Sequence, residues 1–339
     1  MGGLWRLRYA PNRHIQPEIT VGAQAMQSRK LVIRVLTALG AVALCWWPGE
    51  AWSQTADQPP VATPAPMPAA QPETSVGDYF DNWFTRANEA QAEQPHWMTP
   101  LVTVTPRLEQ EVRYDQYWEK RGNDSTLDIF DAGKGLELIP TETNEVLINP
   151  PAYQFKGNTA HPAKGWVDDQ FLVVKQRLLS ANEDNGNYIV SAFLGVTAAS
   201  GNAAFTNKTW IVTPTLAAGK GWGDFDIQAT TGVAIPFRNQ STLGTSIATN
   251  VAFQYHFAKY FWPEFEVNDT YWANGKERGG KNQVLLTPGI TLGRFVIHDR
   301  IKFIIGGGYQ VAVSPKYVDT TEQTPAYNHA WILTTRLAF

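Results

Sequence analysis

The chain has 339 residues, 28 of them basic and 31 acidic, for a formal charge of -3. That balance carries no basic excess of the kind nucleic acid selects, so no nucleic-acid partner is expected. A single cysteine leaves no disulfide framework and no cysteine-built zinc site. Mean hydropathy is -0.27. That is the average of a soluble protein, but also of a membrane barrel, whose lipid-facing and lumen-facing residues alternate.

The first element is a leader. Met26-Gln27-Ser28-Arg29-Lys30 is a basic start, and Val35 to Trp47 is an apolar core too short for a comfortable membrane-spanning helix. Ala51-Trp52-Ser53 offers small residues for a signal peptidase, with cleavage expected after Ser53. Residues 1–53 therefore read as an N-terminal extension plus signal peptide, with translation expected to start at Met26. Cys45 lies inside the apolar core behind Leu44, which is too large for a lipoprotein signal, so the mature chain is expected to lack a thiol. Residues 54–76 are Pro/Ala-rich and read as a disordered linker. Residues 77–97 read as a short amphipathic helix: Tyr79, Phe80, Trp83, Phe84 and Ala87 recur at helical spacing, and Pro95 ends it. Such a helix could plug a barrel, rest against its mouth, or lie at an interface with no role in transport.

From Leu101 the period changes to two, and residues 98–339 read as one closed sheet. In the first strand Val102, Val104, Leu108, Val112, Tyr114 and Trp118 share one face, while Arg107, Glu109, Glu111, Arg113 and Asp115 share the other. Five charges on one face need water or mutual pairing. The best later segments are 224–237 and 245–257. In the first, Phe225, Ile227 and Val233 oppose Asp226 and Gln228. In the second, Ile247, Val251 and Phe253 oppose Asn250 and Gln254. The last strand ends at Phe339 with Trp331, Leu333 and Leu337 on its apolar face, the pattern of an outer-membrane assembly signal read by the barrel-assembly machinery.

Connections alternate between short turns, such as 182–187 and 297–300, and longer polar loops, such as 151–167, 273–282 and 314–326. Alternation of this kind describes an outer-membrane barrel with both termini on the short-turn side. The expected fold is all-β, a transmembrane antiparallel β-barrel of about 12 strands. The weak segment 145–150 leaves an alternative of about 10 strands. Tyr117, Trp118, Tyr188, Trp222, Tyr260, Phe261, Trp262, Tyr271, Trp272 and Trp331 gather near strand ends, as girdles at two membrane–water interfaces would.

The stretches 212–236 (VTPTLAAGKGWGDFDIQATTGVAIP), 253–272 (FQYHFAKYFWPEFEVNDTYW), 285–297 (LLTPGITLGRFVI) and 329–339 (HAWILTTRLAF) resemble outer-membrane "transporter" proteins filed under the MetA pathway of phenol degradation. The resemblance covers residues 98–339 and rests on strands joined by Gly- and Pro-containing turns. It implies an outer-membrane barrel that takes up small compounds, with aromatic ones as one candidate class, and it supplies no catalytic motif.

Little else carries chemistry. Gly133-Lys134-Gly135 and Gly219-Lys220-Gly221 do not complete a phosphate loop and read as structural glycines. Gly306-Gly307-Gly308 reads as a strand kink. Ser246 and His256 are ten residues apart on one strand, roughly 33 Å at about 3.3 Å per residue, so they cannot form a nucleophile–base pair. No metal, cofactor or catalytic residue is expected, although a lipid-modifying barrel enzyme that pairs residues across strands is a competing reading. The main expectation is a channel for passive uptake of small solutes, in the bacterial outer membrane and in contact with its lipid. Its expected lining is Arg107, Glu109, Glu111, Arg113, Asp115, Lys175, Arg177, Asp226, Gln228, Asn250, Gln254, Glu264, Glu266, Lys302 and Arg336. If facing charges pair across the lumen and close it, the alternative is a structural or adhesive barrel.

Overall fold

A computed structural model describes residues 75–131, 135–276, 278–314 and 327–339. The leader and nearly all of the linker lie outside the described residues. So do the Gly133-Lys134 step and most of the loop expected at 314–326.

Two helices open the described chain, α1 (Val76–Asp81) and α2 (Trp83–Ala92). Ser75 and Asp78 form a reciprocal cap at the start of α1, with both side chain–backbone bonds at 3.1 Å. The strands follow as β1 (Glu111–Lys120), β2 (Thr126–Phe130), β3 (Gly135–Leu138), β4 (Asn144–Ile148), β5 (Tyr153–Gly157), β6 (Ala163–Trp166) and β7 (Asp169–Ala181). After them come β8 (Tyr188–Ala198), β9 (Ile211–Trp222), β10 (Phe225–Pro236), β11 (Ser246–Tyr255), β12 (Phe261–Trp272), β13 (Lys281–His298), β14 (Ile301–Ser314) and β15 (His329–Ala338).

From β7 to β15 sequential strands pair antiparallel, β1 pairs with both β2 and β3, and β15 closes the sheet on β1 from Glu111↔Ala338 to Lys120↔His329. This closure pairs the edges of β1 and β15, the condition for strands to stand in hydrocarbon, while among the described residues β6 pairs only with β5. The pieces β2 and β3, β4 and β5, and β6 and β7 each make one stave, so the barrel has 12 staves. Among the described residues no helix is long and apolar enough to cross a membrane. The outer surface carries Leu216, Phe265, Ile290, Val313, Trp331 and Leu337 exposed, while their neighbours Ala217, Glu266, Thr291, Ala312, Ile332 and Arg336 are buried. Period two thus puts the apolar row outside and the polar row inside.

Three expectations need correction. First, β1 begins at Glu111, ten residues later than the sequence pattern suggests. Residues 94–110 instead run inside the barrel, where Leu101, Thr103, Thr105, Arg107 and Leu108 are buried. Pro95, Pro100 and Pro106 lack the N–H a ladder needs. The extended backbone between them alternates like a strand without joining one, so Val104 and Leu108 do not face lipid. Second, the segment 151–167 is not a plain loop but carries β5 and β6. Third, Gly306–Gly308 lies in regular register with Gly289–Thr291, so the run makes no kink.

The aromatic girdle is also only partly as expected. Trp118, Tyr188, Trp222, Phe261 and Trp331 are exposed, whereas Trp262 and Trp272 are buried on the inward row of β12.

Candidate functional site: a filled lumen and a broken wall

Residues 94–110 enter the barrel from the short-turn end, turn near Leu101–Thr103, and return to β1. The segment is closed on itself first. Gln94 exchanges two 2.8 Å bonds with the backbone of Leu108, and Arg107 donates to Pro95 O at 2.5 Å and to Trp97 O. Burying such polar backbone costs free energy unless each group finds a partner. The inward row of the barrel supplies those partners. Glu264 accepts from Leu101 N at 3.0 Å, and Glu266 accepts from Val102 N at 2.7 Å and Thr103 N at 2.6 Å. Gln228 accepts from Thr105 Oγ1 and donates to Met98 O. Arg113 donates to Leu101 O, and Arg336 to Thr99 O and Pro100 O. Lys175 donates to Arg107 O at 2.6 Å, and Ser191 to Pro106 O at 2.6 Å.

The charges are neutralised in pairs: Arg107–Glu109 at 3.0 Å, Arg113–Asp115 at 2.8 Å and Lys175–Glu145 at 3.0 Å. Buried ions persist only when paired and hydrogen-bonded in this way. Gln254 links Gln228 to Glu264, and Asp226 accepts from Gln228 at 3.0 Å. Arg177 lies nearer the short-turn end, where it holds Ala90 O at 2.6 Å and Glu93 at 2.8 Å. Asn250 is half-buried beside Asn268 and Thr230, and Lys302 is exposed at the rim. Glu111 is buried, and its Oε1 has no hydrogen-bond partner. Six of the expected lining residues, Arg113, Lys175, Gln228, Glu264, Glu266 and Arg336, therefore grip the chain's own segment. Arg107 and Glu109 belong to that segment rather than to the wall.

Small residues make the room. A Cβ at Gly289 would stand 2.4 Å from Leu101 Cδ1, and one at Gly308 would stand 2.8 Å from the same atom. The Trp97 ring occupies the space over Gly219 and Gly221 in the same way. Trp97 and Met98 pack there with Ile189, Trp262 and Ile304. α2 closes the short-turn mouth through Ala87 and Ala90, which pack on Leu108 and Ile139.

Sequence reasoning missed Glu145, the glycine seats and Arg294. Alternation within β4 would have pointed to Glu145. Arg294 could not be found that way: it sits at a register shift with φ 62°, which breaks the count of two. Its guanidinium donates to His96 O and Trp97 O, both at 2.7 Å. Below it, Glu183 in the β7–β8 turn accepts from His96 N at 2.5 Å and contacts the His96 ring at 2.9 Å. Burial works to raise the Glu183 pKa, but the bonds from His96 outweigh it and hold the carboxyl below its ordinary value.

The wall is not uniform. β1 pairs with β3 up to Arg113↔Gly135 and with β2 from Gln116↔Phe130. β4 ends at Ile148, where Pro150 and Pro151 follow without N–H donors, and β5 starts at Tyr153. Across this break lies a cavity of about 530 Å³ bordered by Val112, Tyr114, Leu136, Ile148 and Phe171 from the outer face. A second cavity of about 320 Å³, bordered by Tyr117, Glu119, Gln154 and Asp168, lies on the inner side toward the long loops. Asn149 and Pro150 border both.

No curated protein matches this sequence. Among solved structures the chain is similar to an outer membrane channel from Pseudomonas putida F1, with 15% identity, a TM-score of 0.48, and coverage of 68% of this chain and 94% of that one. It is similar also to the NanC porin, with 10% identity, a TM-score of 0.40, and coverage of 68% and 98%. For the KdgM porin, solved in complex with disordered oligogalacturonate, the figures are 9%, 0.37, and 67% and 99%. A family profile matches residues 147–332, more than half of the chain and most of the barrel just described, and the chain belongs to that family, described as "Putative MetA-pathway of phenol degradation".

Proposed function

We propose that this chain is an outer-membrane channel for small apolar solutes, aromatic ones among them, and that its axial route is held shut by its own residues 94–110. In this reading the short-turn end faces the periplasm. The observation that carries it is the pair of cavities meeting at Asn149–Pro150 while the lumen beside them is filled. A hydrophilic conduit would need a water-filled axis, yet inward Arg113, Lys175, Glu264, Glu266 and Arg336 are spent on the threaded segment. An apolar solute can instead approach along the outer surface, where Tyr114, Ile148 and Phe171 are exposed at the break. The family label, which names phenol degradation, agrees with this solute class.

The test is uptake of a labelled small aromatic solute, at limiting concentration, by intact cells with and without the chain. Chain-dependent, saturable uptake is expected, and equal uptake by both strains overturns the reading. The closed structural barrel remains the second reading because every wall contact to residues 94–110 favours a filled lumen. It requires that loosening this segment produce no conductance.

A further inference from the structure

The cavity in the broken wall is bordered by the polar side chains of Asp131, Asn149 and Asp169. Asn149 is 7% exposed, yet its Oδ1 has no hydrogen-bond partner. Asp131 and Asp169 border the same cavity, and in each the Oδ1 is buried without a hydrogen-bond partner. A buried acceptor left without a donor costs about 1–3 kcal/mol, and more when it is charged. Three such atoms around one cavity are an arrangement that a bound donor would satisfy. Val112, Leu136, Ile148 and Phe171 make the apolar part of the rim, beside Tyr114 and Arg113.

We propose that this notch is a binding site for a membrane-borne amphiphile with a protonated amine head, its tail against the apolar rim and its ammonium on Asp131, Asp169 and Asn149. An ammonium brings three donors and a positive charge, matching an amide oxygen and two carboxylates. A hydroxyl head brings one donor and no charge. Arg113 also borders the cavity. Its Nε is paired with Asp115 and one amino group with Leu101 O, while the other amino group has no partner. A carboxylate head on Arg113 is therefore the contrary outcome. The inference rests on the channel reading for its biological use but not for its test.

The test is calorimetric binding of 4-pentylbenzylamine, 4-pentylbenzyl alcohol and 4-pentylbenzoate to the folded chain in lipid nanodiscs, after subtracting binding to empty discs. The amine should bind at least tenfold tighter than the other two, and Asp131→Asn with Asp169→Asn should erase that preference. Equal binding of all three heads, or preference for the benzoate, overturns the proposal. The head-group series on the unaltered chain decides the matter even where the double variant fails to fold. A clear amine preference without chain-dependent cellular uptake would keep the site and remove the channel reading. The reverse pair of results would do the opposite.

Discussion

The two arcs of the barrel wall are built differently. From β8 to β15 the strands run ten residues or more, and Phe225–Ala234 pairs with Ser246–Tyr255 without a slip. From β2 to β6 the pieces are four or five residues long, and the ladder stops at Pro150–Pro151. The long arc supplies the glycine seats for Trp97 and Leu101 and the carboxylates of Glu264 and Glu266. The short arc supplies the notch. A regular ladder fixes many inward side chains at once, so it can hold an extended segment along its length. An interrupted ladder gives up backbone bonds and gains an opening. The regular arc thus carries the glycine seats and much of the grip on residues 94–110, while the cavity across the wall lies in the interrupted arc.

The largest expected effect comes from spoiling a seat in the long arc. Gly289→Val puts a side chain where Leu101 Cδ1 stands, 2.4 Å from the position of its Cβ. Residues 94–110 should then leave the lumen in part, and planar-bilayer conductance should rise about tenfold or more, the equivalent of 1.4 kcal/mol in an equilibrium constant. An unchanged conductance would favour the closed structural barrel. Next in size is Glu266→Ala, which strips the amides of Val102 and Thr103 of their acceptor. A loss of about 1–3 kcal/mol is expected, read as a lower thermal midpoint with the barrel still assembled.

On the short arc, Pro150→Ala with Pro151→Val restores two N–H donors. If the break serves access, solute uptake should fall several-fold while stability rises by about 1 kcal/mol per ladder bond regained. Uptake that survives this change would detach function from the break. The smallest effect concerns pH. Because the folded Glu183 carboxyl is held below its ordinary value of 4.5, its contribution is present above that value and is lost as pH falls through the depressed one. Glu183 is substantially exposed, so the loss should be slight, and Glu183→Gln should remove that part of the acid dependence. Thermal midpoints of both chains between neutral pH and the acid side of the carboxylate range check it.

Sequence alone carried the long arc well. The alternation in β10 and β11 put Asp226, Gln228, Asn250 and Gln254 on the inward row, and length alternation of the connections gave the 12 staves. It failed at residues 101–110 for a physical reason. A chain extended through a polar lumen also alternates, with Thr103 and Thr105 bonded to the wall between apolar neighbours. Only the prolines at 100 and 106 argued against a strand. The glycine seats were illegible because Leu101 meets Gly289 and Gly308 from a distant part of the sequence, and no local pattern encodes that meeting. The notch was legible in part: Pro150-Pro151 announces a stop, but which orphaned acceptors gather there depends on how the ends of β2, β4 and β7 meet.

Residues 94–110 occupy the lumen as a bonded part of the fold. Amide hydrogen exchange on the assembled barrel tests it directly at Leu101, Val102 and Thr103, whose N–H groups are donated to Glu264 and Glu266. Protection comparable to the amides of β10 and β11 is expected, with selective loss at Val102 and Thr103 in Glu266→Ala. Exchange of these three amides at the rate of an unstructured chain, with β10 and β11 protected, would contradict it.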